Sequence, residues 1–554
     1  MAQAIPATVS GQPVLILKEG TSRAKGREAQ SANIAAAKVV AETVRSSLGP
    51  KGMDKMLVAS FGDVTITNDG AVILKEIDVQ HPAAKMMVEV SKTQDDEMGD
   101  GTTTAVLLAG ELLSKAENLL EKDVHATVIV DGYRRAAEKA LDLLKGVAIK
   151  VSPKDEVMLK KVAAVSQAGK LLRENADFMA DIAVNAVLKV AEETPSGFKV
   201  EVDDIKVEKK AGESLTDTSL IQGVVLDKEV VHPGMPKRIE NAKIALLNAA
   251  LEVEKTEFDA KINIQNPEQM KAFLDEEESI LRGMVDKVAA SGANLLICQK
   301  GIDDVAQHFL AKRGVMAVRR ASEKDMEKLS KATGARIVTN VDDLKAQDLG
   351  YAKLVEERKI ADDKMTFIEG CKEPKAVTIL VRGGTERIVD EAERSIHDAL
   401  CVVRDVVRDP QVVVGGGAVE VELASQMKRW AEQLSGREQL AVLAFAEALE
   451  AVPTTLAENA GLDPIDIIVA LRARHEKGEK AAGVDVFDGK VKDMAKLDIY
   501  EPAAVKEQIL KSATEAACMI LKIDDVIAAG KLKEEGKPPK APEKEEEEKT
   551  SEFD

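Results

Sequence analysis

Between residues 218 and 367 the period of the sequence changes. "GVVLDKEVV", "KIALLNAA", "ANLLICQ" and "VMAVRR" are short apolar runs of β character separated by helical text, an α/β alternation. On both sides the text is helical. Before it, "NIAAAKVVAETVRSSL" sets Ile34, Val39, Val40, Val44 and Leu48 along one stripe, and "GP" at 49–50 stops the helix. After it, "TERIVDEAERSIHDALCVVRDVV" opens helices that continue to about residue 530. Two helical zones flanking an α/β zone imply an inserted domain, joined to the helical body by two connections through a small middle domain. A chain of 554 residues is too long for one hydrophobic core and allows roughly three or four domain-sized units. The expected fold class is therefore multidomain, α and α/β. The helical body spans 1–150 and 404–530, the middle domain 151–217 and 368–403, and the inserted α/β domain 218–367. The tail 531–554 is Pro- and charge-rich, with too little apolar text to order.

Two local features matter later. In "DVTITNDGAVIL" the Asn68-Asp69-Gly70 triplet predicts the turn of a hairpin over 63–74. Asn266 and Pro267 start a helix whose apolar face is sparse: Met270, Phe273, Leu274, Leu281, Met284 and Val285. The text before it, Phe258, Ile262 and Ile264 among charges, has little to pack against, and an exposed apolar tip over about 254–284 is the expected result.

Charge and composition exclude several functions. The net charge is −19, of which the tail contributes little, with six lysines against nine acidic residues from 531 onward. Nucleic acid as a main partner is disfavoured by so acidic a surface. Cys298, Cys371, Cys401 and Cys518 lie far apart, without C-x-x-C spacing, and the six histidines are scattered. Neither a zinc site nor a disulfide framework is suggested, and buried reduced thiols are expected. The sequence has no signal-peptide pattern and no apolar run approaching bilayer length, so no stable membrane insertion and a cytoplasmic location are expected.

The segment "MGDGTTTAVLLAGELL", 98–113, carries chemistry. Glycines on either side of Asp100 let successive N–H groups turn into one concavity, and three threonines add hydroxyls where a helix N-terminus lacks partners for its amides. A phosphate suits that site, and Asp100 beside it calls for a cation between them, which reads as a nucleotide with magnesium. An Asp/Thr-capped helix after a Gly turn fits the same text, and spacing alone does not separate the two. "GGGAVE" lacks the G-x-G-x-x-G spacing of a dinucleotide fingerprint, and no Walker A motif is present.

"SSLGPKGMDKML", "DVTITNDGA", "GDGTTTAVLLAGELL", "ERSIHDAL", "VVVGGGAVE" and "YEPAAVKEQILKSATEAACMILKIDD" follow one another in an order that resembles the group II chaperonins, over about residues 20 to 530. The resemblance implies equatorial, intermediate and apical domains, with "KTEFDAKINIQNPEQMKAFL" as a helical protrusion serving as a built-in lid. It implies identical or paralogous subunits in two stacked rings of eight or nine, with non-native polypeptides as clients. ATP and Mg²⁺ are the implied cofactors. By the same resemblance, Gly101, Thr102, Thr103 and Thr104 hold phosphate, Asp100 holds the metal, and Leu48, Gly49, Pro50 and Lys51 form a second phosphate loop. Asp398 orients the attacking water, assisted by Asp63. Lys170 senses the terminal phosphate. Gly415 and Gly416 approach the nucleoside, Glu501 reaches the ribose, and Asp485 and Lys506 lie nearby. Clients are expected near Phe258, Ile262 and Ile264.

Two departures from the family pattern stand out: "VSQAGK" before the sensor lysine, and Ala59 where an Asp is common. An ATP-regulated ring-forming or membrane-associated scaffold is the alternative function. A small-molecule phosphotransferase ranks below both, since the inserted domain shows no second polar constellation for an acceptor.

Overall fold

The computed structural model describes residues 6–9, 12–15, 22–58, 62, 64–170, 175–195, 197–253, 267–371 and 376–528. Ala59, Asp63, the tip residues Phe258, Ile262 and Ile264, and the tail from 531 lie outside them.

Burial divides the described chain into three main apolar cores. The largest is helical and draws on both ends of the sequence: Ile34, Leu112 and Tyr133 pack with Phe445 and Ile520. Its centre is the Thr102–Glu121 helix, in which every residue from Thr102 to Ala109 is buried, and Gly110 with them. A one-sided amphipathic helix is the reading of its sequence. The helices Arg27–Arg45, Pro82–Met98, Arg437–Leu449 and Ala503–Leu521 all pack against it, so its first half is enclosed on every side. Tyr133 brings a polar group into this core and satisfies it by donating from its hydroxyl to the Leu112 carbonyl at 2.8 Å.

The second core belongs to a seven-stranded mixed sheet. Leu295–Cys298 and Met316–Val318 run parallel to Arg238–Leu247, while Gly350–Ile360 and Asp363–Cys371 continue the sheet antiparallel on its other side. Strands buried on both faces read as continuous apolar runs, as "LLIC" does. The third core lies between these two. There the helices Glu156–Gln167, Ala176–Val190 and Glu386–Arg408 pack with a three-stranded sheet centred on Val377–Gly383. Adjacent segments of the entering chain join different sheets: Ser219–Ile221 pairs with Val377–Gly383, and Gly223–Leu226 pairs with Asp363–Cys371.

Several expectations need correction. The hairpin is formed by Lys55–Val58 and Val64–Thr67, and Asn68-Asp69-Gly70 instead opens the Gly70–Glu76 helix. Asp69 accepts from the N–H groups of Ala71 (3.2 Å) and Val72 (3.3 Å). Turn and helix-cap chemistry use the same residue types, and the apolar "AVIL" that follows finds a helical core to cover it. Val39 is on the expected stripe but is 66% exposed. In the helix Pro267–Ala290 the exposure of Met270, Phe273 and Leu274 is that expected of an exposed apolar tip, but Leu281, within the expected tip, is buried with Val285 on the α/β core. One helical stretch, Arg437–Asn459, does reach bilayer-spanning length and apolarity, and it is mostly buried inside the protein. The four cysteines are free, with Cys371 only half-buried and the other three buried.

Candidate functional site

A cavity of about 590 Å³ lies where the helical core meets the middle core. Its floor is the turn between the Pro82–Met98 and Thr102–Glu121 helices. Gly99 (φ 70°) and Gly101 (φ 79°) are both left-handed, a conformation glycine adopts without steric cost, and Asp100 stands between them. The Asp100 carboxylate accepts from the Gly101 N–H at 2.6 Å, and its carbonyl accepts from Gln94 Nε2 at 2.9 Å. Burial pushes the Asp100 carboxyl up, while Lys170 and the Gly101 N–H pull it down.

A second helix N-terminus meets the first. Thr102 Oγ1 donates to Asp69 Oδ1 at 3.0 Å. A Cβ on Gly70 would stand 2.7 Å from Thr103 Oγ1 and 3.0 Å from Thr103 N, so the approach of the two helix starts requires glycine there. The loop 47–50 closes the wall beside them, with Gly49 at φ 83° lying against Leu456.

The middle core supplies the opposite wall. Lys170, at the end of "VSQAGK", makes an ion pair with Asp398. Asp398 is 9% exposed. Its helix, Glu386–Arg408, buries Ile396, Ala399 and Val403 in the middle core and turns the carboxylate to the cavity. Gly169 explains how the departure in this loop is accommodated: a Cβ there would be 3.1 Å from the Gly49 carbonyl oxygen, so the small residue lets the two loops touch.

At the far end Gly416 (φ 66°) and Gly417 (φ 77°) form a left-handed turn that starts the Ala418–Ala431 helix. Asp485 Oδ1 accepts from the N–H groups of Phe487 (3.0 Å) and Asp488 (3.2 Å), and Lys492 pairs with the same carboxylate at 2.8 Å. Lys506 is buried between Glu420 (2.8 Å) and Glu501 (2.5 Å). Burial alone would lower the Lys506 ammonium, but the two carboxylates override it and hold the group charged.

The cavity thus brings together Leu48, Gly49, Pro50, Asp100 through Thr104, Lys170, Asp398, Gly416, Asp485, Glu501 and Lys506. Two of the expected residues do not line it. Lys51 is exposed, with its Nζ 5.7 Å from the Phe487 ring centroid, and Gly415 packs behind Glu501. Asp63 lies outside the described residues. Asp69, Gly417 and Lys492 line it and were not expected, nor was Glu420 as the second partner of Lys506. Asp69 carried a usable signal, an Asp-Gly just before an apolar run, which is a helix-start pattern as well as a turn pattern.

Among the described residues no group of three or more His, Cys, Asp or Glu converges on one point. A cation at Asp100 would therefore need oxygens from its ligand, which is how Mg²⁺ is commonly held with phosphates. The groups around Asp100 suit that pair: backbone amides, the hydroxyls of Thr102, Thr103 and Thr104, Lys170, and the Asp100 carboxylate itself.

Asp95, one turn before this loop, titrates at about 6, raised first by burial and then by Asp69 and Asp96. A carboxyl whose folded value exceeds its free value costs stability above that pH, and the cost fades as the pH falls and both states become protonated. Asp95→Asn is expected to raise the melting temperature at pH 8 and to leave it unchanged near pH 4. Equal shifts at both pH values would contradict this.

Comparison with known proteins identifies the family. The model of the TCP-1/cpn60 chaperonin family matches residues 40–531. The chain is 61% identical over 522 residues to a thermosome subunit of Methanopyrus kandleri, covering 94% of this chain and 96% of that one. It is 60% identical to the thermosome subunit beta of Archaeoglobus fulgidus, covering 96% and 97%, and 58% identical to the alpha subunit of the same organism, covering 96% and 98%. Among solved structures it is similar to the open-state monomer of a group II chaperonin from Methanococcoides burtonii. The identity is 48% and the TM-score 0.59, over 76% of this chain and all of that one. With its three-core architecture and near full-length similarity, the chain belongs to the TCP-1/cpn60 chaperonin family, in its group II branch.

Proposed function

We propose that this subunit, an ATP-dependent chaperonin by its family, binds ATP with Mg²⁺ in the 590 Å³ cavity and couples hydrolysis to closure of a folding chamber. The observation that carries the reading is that Asp100 and Asp398, far apart in sequence and rooted in different cores, line one cavity at a helix N-terminus. The amides and hydroxyls of Gly101 to Thr104 and the loop at Gly49 would receive the phosphates. Asp100 would hold the metal, which when bound supplies charge neutralisation at the phosphates. Asp398 would orient the attacking water and take its proton, and Lys170 would exchange its carboxylate partner for the terminal phosphate. Asp69, hydrogen-bonded to Thr102, is positioned to assist from the base of the site.

The helix bearing Asp398 is packed into the middle core, so the site is complete only at one placement of that core over the helical body. Nucleotide affinity then differs between placements, which is the thermodynamic requirement for coupling. Subunits would assemble as stacked rings of eight or nine, identical or paralogous. Non-native polypeptides would meet the apical apolar surface near the exposed Met270, Phe273 and Leu274, with Phe258, Ile262 and Ile264, shortly before them in the sequence, as further candidates. Nothing in the fold or its relatives favours a scaffold.

Electron microscopy of the purified protein, with phosphate release followed in parallel, tests this. Double rings that close on adding nucleotide, and release that stops when Mg²⁺ is chelated, are expected. Rings with one shape in both conditions, or release indifferent to Mg²⁺, would overturn it.

A further inference from the structure

We propose that Arg404 is a positioning residue for hydrolysis, clamping the Asp100 turn to the helix that carries Asp398. This rests on the hydrolytic reading of the cavity. The Pro82–Met98 helix ends just before that turn, and carbonyls in a last helical turn have no partner within the helix. Glu97 is in that turn, and its carbonyl accepts from Arg404 Nη2 at 2.6 Å. A guanidinium at a helix C-terminus is also favoured by the helix dipole. Arg404 is itself held by Asp405, whose Oδ1 lies 2.8 Å from its Nε, and both side chains are largely buried.

A second contact fixes the same joint. Cys401 packs on Gly99 so closely that a Cβ there would be 2.4 Å from the cysteine Cβ and 2.6 Å from Sγ. At the other end of the turn Gln94 donates to the Asp100 carbonyl at 2.9 Å. Asp398, Cys401 and Asp405 follow an i, i+3, i+7 spacing and share a helix face, and Arg404 projects from its edge. Arg404 lies about 9 Å along the axis from Asp398, six residues at the helical rise. A slide or roll of this helix that broke the Glu97 contact would carry the Asp398 carboxylate off the floor on which Asp100 sits. The clamp thus sets the distance between the metal-holding and water-directing carboxylates without touching either.

The test is Arg404→Met and Arg404→Lys in the assembled full-length protein, with kcat from phosphate release and Kd for MgADP by calorimetry. Wild-type hydrolysis is the first arm: if it is absent, the reading of the cavity fails, whatever the variants do. Given wild-type hydrolysis, Arg404→Met is expected to lower kcat by about 10- to 100-fold, the scale of a misplaced reacting group, with Kd for MgADP within about twofold. Arg404→Lys keeps a donor for Glu97 and should recover part of the loss. The clamp is rejected if kcat in Arg404→Met stays within about threefold of wild type, or if Kd weakens as much as kcat falls. Should Arg404→Met fail to assemble, Arg404→Lys decides by the same two numbers: reduced kcat at unchanged Kd supports the clamp, and unchanged kcat rejects it.

Discussion

Asp398→Ala is expected to cut phosphate release by about 10²- to 10⁴-fold, the usual contribution of a positioned acid or base, while nucleotide still binds. The geometry separates the two effects. The amides at Gly101, the threonine hydroxyls and Asp100 belong to the helical core and do not depend on the Asp398 side chain. Its helix is anchored by Ile396, Ala399 and Val403, so truncation to Cβ should leave the backbone in place. The substitution also frees Lys170 from its carboxylate partner, which favours its approach to a phosphate. Binding should therefore be equal or tighter. Calorimetric titration with nucleotide beside a phosphate-release assay measures both. Turnover within tenfold of wild type, or turnover and binding lost together, would remove Asp398 from its role.

Lys506→Met is expected to destabilise the helical body by about 3–5 kcal/mol, the cost of breaking a buried ion pair from one side. Lys506 is 7% exposed, and its ammonium is the shared partner of Glu420 and Glu501. Methionine fills the same volume but leaves two carboxylates facing each other, and Glu420 Oε2 already lacks a hydrogen-bond partner in the protein. Adding Glu420→Gln should restore a large part of the loss, because it removes one of the two stranded charges. Denaturant unfolding of the single and double variants measures the coupling between them. If the double variant is no more stable than Lys506→Met, the ion triad is not what holds this corner of the site.

The turn around Asp100 was legible because its chemistry is local. Gly99 and Gly101 had to be glycines for the left-handed turns they make, and the threonines follow at the first positions of the helix. The family motifs carried most of the other site residues, since they reach the same cavity from six separate stretches. Asp69 was missed because the Asn68-Asp69-Gly70 triplet satisfies both a hairpin turn and a helix cap. Only the Gly70–Glu76 segment packed in its place selects the cap. Asp398 came from the family resemblance and not from periodicity, which records which positions are apolar and not what lies opposite the polar ones.

The sequence by itself determined the alternation of helical and α/β zones and the turns at Gly99 and Gly101, since each depends on residues a few positions apart. Tertiary structure alone decided what covers each face. It enclosed the Thr102–Glu121 helix, left Val39 exposed, brought Asp398 to the cavity that Asp100 lines and seated Cys401 on Gly99. These outcomes depend on how separately folded cores meet, and contacts between distant segments are set by shape and burial summed over the whole chain.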